Sequence, residues 1–520
     1  MSLIAEVAAA FSVDGTLARA DSRYVPRDAQ TDMALAVAHA IEKPRALVVE
    51  AGTGVGKTFA YLVPSLLSGE RVLISTATKA LQDQLFGRDL PLLIKALGIS
   101  VTTALLKGRS SYLCLERLEN ARHEAQSPGF GSLRGLAQIE KWSQRTRTGD
   151  LAEMEGLDER SPLIPLVTST RENCLGAPCG HFKKCHVNAA RRDAMAADLV
   201  VINHHLFFAD LAVRESGVAE LLPTVRIAVF DEAHQLNETG VHFLGTRLST
   251  GQLLDFSRDM LATGLQQARG LLDWQALTAA LEQAARTFRM SAGRRSPGEK
   301  VRWTASVPDG FDVSEWQAQI GVLHEVSVQI EKALDTVSEI SPDFVRLRER
   351  ALTFIGQLES FSVPTDPGNV RWLDIANHLS LVQSPLNIGD AMRTRVFDKA
   401  DHASKTWVFT SATLGDDEKL SWFTEPCGLS DATILKVQSP FNYQSQSALY
   451  VPRDLHKPND PTHSIRVAQS IALWAGRLGG RTVVLTTTLK ALRTTSKPIN
   501  QATLGHRALN QYLKLTRRLK

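Results

Sequence analysis

Cysteine is scarce in this chain, at five in 520 residues. That scarcity excludes a disulfide-stapled secreted scaffold, which depends on dense cysteine pairs. Long apolar runs are missing too: none approaches the roughly 20 residues that cross a bilayer. The opening stretch MSLIAEVAAAFSVDGTLARA lacks a basic n-region and carries Glu6, so it reads as ordinary helix and not as a signal peptide. A cytoplasmic protein without a membrane partner is expected. No internal repeat and no low-complexity segment interrupts the chain. Acidic residues are absent from its end. Beyond Asp460 lie 11 of the 59 basic residues and none of the 55 acidic ones, so a net charge of +4 conceals −7 over the first 460 residues. A tail so one-sided suits nucleic acid, or is an abnormal chain end.

What is present is globular composition, 43% hydrophobic and 22% charged, over a length that implies three or four structural units. Residues 46–50 (ALVVE) form an apolar run that enters AGTGVGKT, and an apolar-periodic FAYLVPSLL follows, giving strand, loop and helix. RVLIST (71–76), IAVFDEAH (227–234), TWVFTSAT (406–413) and TVVLTTT (482–488) read as further buried strands. Strands alternating with helices predict a doubly wound parallel α/β sheet with its chemistry at the strand carboxyl ends. Two insertions interrupt the pattern. Residues 106–194 hold four of the five cysteines, and residues 246–395 are mostly helical in pattern.

Ala51, Gly52, Thr53, Gly54, Val55, Gly56, Lys57 and Thr58 stand between a strand and a helix, the context a phosphate-binding loop requires. Its backbone N–H groups would curl around phosphates, Lys57 would reach the β and γ phosphates of ATP, and Thr58 would ligate Mg²⁺. Asp231-Glu-Ala-His234 ends another strand. Asp231 there would hold Mg²⁺, Glu232 would activate the attacking water, and His234 would complete the nucleotide site. Ser411-Ala-Thr413 ends a third strand, where hydroxyls would couple the nucleotide to a second ligand. Gln30, about twenty residues before the loop, would read adenine through its amide. Each is also consistent with a plain turn or surface polar residue; their order along the chain is what gives them weight.

Cys174, Cys179 and Cys185 are separated by four and five residues, and Cys114 lies upstream. Zinc remains open, with His181 and His186 at hand, although the Cys174–Cys179 spacing only just meets the usual zinc pair. Four thiolates suit a [4Fe–4S] cluster, but the ferredoxin spacing is absent, so spacing alone does not decide. Cys427 lies far away and reads as an inert thiol. Basic residues (Lys107, Arg109, Lys183, Lys184, Arg191, Arg192) and the aromatics Tyr112 and Phe182 surround the cysteines, a pattern that suits phosphates and bases of a single strand.

Phosphate loop, STATKALQDQ, DEAH and SAT in this order resemble a superfamily 2 helicase. LLKGRSSYLCLERL, ADLVVINHHLFFADL, FDEAHQL and SPFNY narrow the resemblance to the iron–sulfur (XPD-like) helicases of the bacterial DinG/YoaA group. The resemblance runs from about residue 20 to about 490. It implies a RecA-like lobe from residues 1–105, 195–245 and 396–435, an iron–sulfur domain over 106–194, an arch-like insertion over 246–395, and an incomplete second RecA-like lobe with a basic tail over 436–520. It implies ATP-driven 5′→3′ translocation on single-stranded or forked DNA in repair or replication beside the nucleoid, with replication or repair proteins as further partners. It also implies that Cys114, Cys174, Cys179 and Cys185 ligate a [4Fe–4S] cluster. The family's last motif, a Gln…Gly-Arg…Arg pattern that supplies an arginine finger, has no counterpart here; Arg477 in WAGRLGG precedes its strand and has no matching Gln. Impaired turnover is therefore expected of the chain as it stands.

Overall fold

The structure, a computed structural model, describes residues 2–125, 133–158, 161–170, 173–215, 221–293, 295, 298–397, 404–453, 455, 457–458, 460, 462–479, 482–486, 491 and 494. Its eleven described strands are β1 (Ala46–Ala51), β2 (Val72–Thr76), β3 (Thr103–Leu105), β4 (Leu199–Asn203), β5 (Ile227–Asp231), β6 (Thr246–Ser249), β7 (Glu299–Trp303), β8 (Asn369–Ile375), β9 (Leu379–Pro385), β10 (Thr406–Ser411) and β11 (Thr433–Val437). Seven of them form one parallel sheet in the order β11-β1-β10-β5-β2-β4-β3. This is the doubly wound α/β core expected from the sequence. β2, β4, β5 and β10 are buried along their whole length, which is why they read as continuous apolar runs and not as alternating ones.

Each face of this sheet carries its own core layer. The helices Asp28–Glu42 and Lys57–Leu67 bury Met33, Val37, Tyr61 and Val63 on one side. On the other, Phe207, Phe208, Phe230 and Phe409 pack together, with the rings of Phe230 and Phe409 stacked at 4.9 Å. Both layers fix the carboxyl ends of β1, β2, β5 and β10 side by side.

The insertion between β5 and β10 is mostly helical, as expected, and adds a sheet that its sequence pattern does not announce. Four helices (Thr250–Gln267, Trp274–Ser291, Val313–Val337, Pro342–Ser362) pack on a four-stranded antiparallel sheet of order β6-β9-β8-β7 and share one core. A capping box, Ser249 with Gln252, starts the first helix. Arg371 on β8 is buried and donates to the carbonyls of Val363 and Ser360, closing the end of the Pro342–Ser362 helix.

By internal contacts the chain has two compact units, Met1–Glu153 with Pro165–Pro440, and Met154–Ile164 with Phe441–Lys520. The first holds both sheets. In the second the longest described element is the helix His463–Arg477. The strand expected over 482–488 does not form within residues 482–486, and 487–488 lie outside the described residues. A strand is stable only when paired, and Val483 and Leu485 stand exposed here with no strand beside them among the described residues. Most of the basic tail also lies outside the described residues.

Candidate functional site

β1 delivers the chain into Gly52–Gly56 and the helix starting at Lys57. Gly54 and Gly56 adopt φ of +85° and +88°, the left-handed region that a side chain resists. Gly52 is needed for space: a Cβ there would come within 2.7 Å of the Ser439 backbone nitrogen. The loop is held from three sides. Arg27 donates to the Gly54 carbonyl, Gln30 Nε2 to the Gly56 carbonyl at 3.0 Å, and Ser439 Oγ to the Thr53 carbonyl at 2.7 Å. Tyr24 donates to Gln30 Oε1 at 3.2 Å. Gln30 thus lies against the phosphate loop itself, with its amide spent on Gly56 and Tyr24.

Asp231 and Glu232 leave β5 on the same edge. The buried Tyr61 hydroxyl, one turn into the helix after the loop, donates to Asp231 Oδ2 at 3.1 Å. Burial, reinforced by the neighbouring Glu232 charge, raises the Asp231 carboxyl to about 6 in the metal-free protein; Tyr61 and Lys57 oppose the rise. The same burial, and then the Asp231 charge, hold Tyr61 well above the usual phenol range. A dry carboxylate of this kind gains most from a cation. Glu232 sits at φ 54°, ψ 45°, left-handed although it is not glycine. His234 Nδ1 lies 2.8 Å from Ser411 Oγ, and Ser411 Oγ donates to Glu232 Oε2 at 3.4 Å. DEAH and SAT therefore touch through one hydroxyl. Glu50, at the end of β1, accepts from the backbone of Leu414 and Gly415 at 2.7 and 3.2 Å and pins the turn that follows Ser411-Ala-Thr413.

Beyond the motifs, the buried His204 meets Ser75 Oγ through Nδ1 at 2.7 Å and links the ends of β2 and β4. Burial lowers its pKa to about 4. Glu50, Tyr61 and His204 were not singled out from sequence. The signal available for Tyr61 and His204 was a polar group inside an apolar run.

The cysteine segment leaves the sheet after β3. Cys114 precedes the helix Leu115–Ala125, and its backbone N–H donates to Val167 at 2.8 Å. Cys185 caps the helix His186–Ala196. Burial raises the Cys114 thiol, and charge on Cys174, Cys179 and Cys185 raises it further, so the four thiols share one neighbourhood. Cys179 is raised by burial, with the Glu116 charge and then Cys174 and Cys185 adding to the rise. Among the described residues, no group of three or more His, Cys, Asp or Glu is set closely enough to grip a metal ion. In kind, four thiols on one segment fit a thiolate-ligated cationic group. The histidines a zinc site would recruit are engaged elsewhere: His181 with Glu119 at 2.9 Å, and His186 with the backbone of Arg147. Cys427 is buried, its thiol pushed far up by burial.

Two members of the expected basic patch are corrected. Lys107 is 3% exposed and held by Asp150 at 2.6 Å and Asp83 at 2.7 Å. Burial pushes its pKa down, but the two carboxylates outweigh it and the net shift is upward. Tyr112 is buried, its hydroxyl accepting from the Lys107 backbone at 3.0 Å. Neither can meet DNA. Phe182, Lys183, Lys184 and Arg192 are exposed, while Arg109 and Arg191 are half-buried.

A phosphate loop on a parallel α/β sheet, joined to DEAH and SAT at one edge, defines a helicase-type nucleotide site, and residues 31–129 match the DEAD/DEAH box helicase family. The chain is 38% identical over 500 residues to "ATP-dependent DNA helicase YoaA" of Escherichia coli (strain K12), covering 93% of this chain and 74% of that one. It is 33% identical over 516 residues to "ATP-dependent helicase DinG" of Mycobacterium tuberculosis (strain ATCC 25177 / H37Ra), covering 91% and 73%. The solved "Structure of S. tokodaii Xpd4" aligns over 94% of this chain and 78% of its own at 13% identity, with a TM-score of 0.46. The chain belongs to the YoaA/DinG family of ATP-dependent DNA helicases. No described helix is long and apolar enough to cross a membrane.

Proposed function

We propose that this helicase moves 5′→3′ along single-stranded DNA, with forks and tailed duplexes as its substrates in repair or replication beside the nucleoid. Lys57 and the loop Ala51–Gly56 hold the ATP phosphates, Thr58 and Asp231 hold Mg²⁺, Glu232 activates water, and Gln30 swings from Gly56 to adenine when nucleotide enters. His234 passes the state of the γ-phosphate to Ser411 and so to the DNA side. The observation that carries this reading is the chain of contacts Tyr61–Asp231 and Glu232–Ser411–His234 at the carboxyl edge of one sheet. Lys57→Ala weakens ATP binding; Glu232→Gln retains binding, measured with labelled nucleotide, and abolishes hydrolysis. Unchanged ATP affinity in Lys57→Ala overturns the assignment.

Cys114, Cys174, Cys179 and Cys185 would hold a [4Fe–4S] cluster, which when bound supplies the iron that four thiolates ligate. The cluster ties residues 106–194 together, residues 1–105, 195–245 and 396–435 form the ATP lobe, 246–395 the arch, and 436–520 part of a second lobe. Iron and sulfide analysis of anaerobically purified protein tests the cluster, and stoichiometric zinc without iron refutes it. A second reading, binding of ATP and single strands without unwinding, is favoured by the failure of residues 482–486 to form a strand. An arginine finger from a second lobe is worth about 10³–10⁵ in rate, so ATPase measured with and without single-stranded DNA on the 520-residue chain separates the two readings.

A further inference from the structure

The outer face of the antiparallel sheet carries a row of side chains that the ATP chemistry leaves unused. Across the strands Arg247 faces Val382, Val382 faces Trp372, and Trp372 faces Arg302. The next row runs Ser249, Ser380, Asp374, Lys300. Directly opposed residues share a face at about 4.5–5.5 Å between Cβ atoms. The inner face is spent on the helical core through Leu248, Leu381, Leu373 and Val301. Over β9 the outer face is covered: Val382 and Ser380 are buried, and Ser384 Oγ donates to Val241 of the helix Leu236–Leu244 at 3.3 Å. The β7–β8 half is open. Lys300, Arg302 and Val370 are exposed, and Trp372 is half-exposed.

The charges on this open half are unbalanced. Asp374, the acid in these rows, is held by Arg247 at 3.3 Å. Among the described residues no carboxylate pairs with Lys300 or Arg302. Lys300 Nζ lies 5.8 Å from the centre of the Trp372 ring, and Arg302 stands directly across from it. An indole beside two cations that no carboxylate pairs with, on a sheet whose other face is already packed, offers a base a stacking surface once Lys300 turns from the ring to a phosphate, and its two phosphates a counter-charge. The apolar area, one ring and Val370, is too small for a folded protein partner. A duplex has its bases already stacked and presents none to the ring.

We propose that the β7–β8 face binds single-stranded DNA, with Trp372 stacking on one base and Lys300 and Arg302 holding the phosphates on either side. The proposal rests on the reading that the chain binds single strands. It adds a contact remote from the ATP site, on the insertion and not on the parallel sheet.

The test is anisotropy of a labelled oligo-dT with the full chain across a salt series. In Lys300→Gln/Arg302→Gln the log–log salt slope falls by about 1.4, two phosphate contacts at about 0.7 each. Trp372→Leu weakens binding about tenfold at fixed salt, and Trp372→Phe restores most of it, because any aromatic ring can stack. ATP affinity stays at the wild-type value in all three. Wild-type protein that ignores oligo-dT refutes single-strand binding and this site with it. Wild-type binding with unchanged slope and affinity in the variants refutes this site alone, as does equal weakening toward blunt duplex. If Trp372→Leu fails to fold, the double glutamine variant, which alters exposed side chains, decides the matter.

Discussion

Glu232 is a non-glycine residue in left-handed backbone, a conformation that costs about 1–2 kcal/mol. Glu232→Gly relieves that strain, so it raises the thermal midpoint, by about 1 kcal/mol in stability, while removing hydrolysis. A lowered midpoint by calorimetry contradicts this account. Two other buried groups act on pH in opposite senses. The folded protein keeps a proton on Asp231 up to about pH 6, which the unfolded chain has released. The unfolded chain keeps a proton on His204 up to its ordinary value of 6.5, whereas the folded protein loses it above about 4. Between those limits the proton counts offset each other, and these two groups leave stability nearly flat in the absence of metal and nucleotide. Asp231→Asn removes one side. Folded His204 then binds fewer protons than unfolded His204, so stability rises with pH from about 4 to 6.5 by about 3 kcal/mol. Urea midpoints across that range read it directly, and a flat profile in Asp231→Asn refutes it.

At the scale of elements, Lys107 fastens the helix Lys79–Gln84 to the strand that enters the cysteine segment. Asp150 is nearly buried and Asp83 is 45% exposed at its side chain. Asp150→Ala leaves a buried cation short of its drier partner and costs about 3–5 kcal/mol, whereas Asp83→Ala costs about 1 kcal/mol or less; denaturant midpoints distinguish them. Lys107 also marks where sequence reading stops. A lysine beside cysteines and arginines reads as a surface cation, because its carboxylates come from 24 positions upstream and 43 downstream. The phosphate loop, DEAH and SAT were legible because each is a local strand end with its own polar signature. β11 is a short run without a motif, and β4 lies inside ADLVVINHHLFFADL, which carries the resemblance without marking a strand. β6 to β9 were masked by the four long helices around them, and β6 pairs with β9 across more than 130 residues. Residues 482–486 show the reverse case: strand-like composition forms no strand without a neighbour to pair with.

On the scale of the whole molecule, residues 447–452 are almost wholly exposed and make no regular element. Leu449 and Tyr450, exposed at 92% and 61%, should be the first chymotrypsin cuts, and the large product should keep its ATP affinity. Early cleavage inside the parallel sheet argues against that picture. The sheet order has one more consequence, and it concerns birth rather than action. β1, which carries the phosphate loop, is flanked by β10 and β11 and by no earlier strand. Ribosomes add about 5–20 residues per second, so β1 waits roughly 20–70 s for the partner that lies about 355 residues further on. During that interval β2, β4 and β5 can pair and the antiparallel insertion can fold on its own core, while an apolar strand with two bare edges stands ready to pair with the wrong neighbour. The nucleotide site thus forms only after both sheets' other strands have been made, and a polypeptide stalled before Thr406 has every residue of the phosphate loop and nowhere to put it.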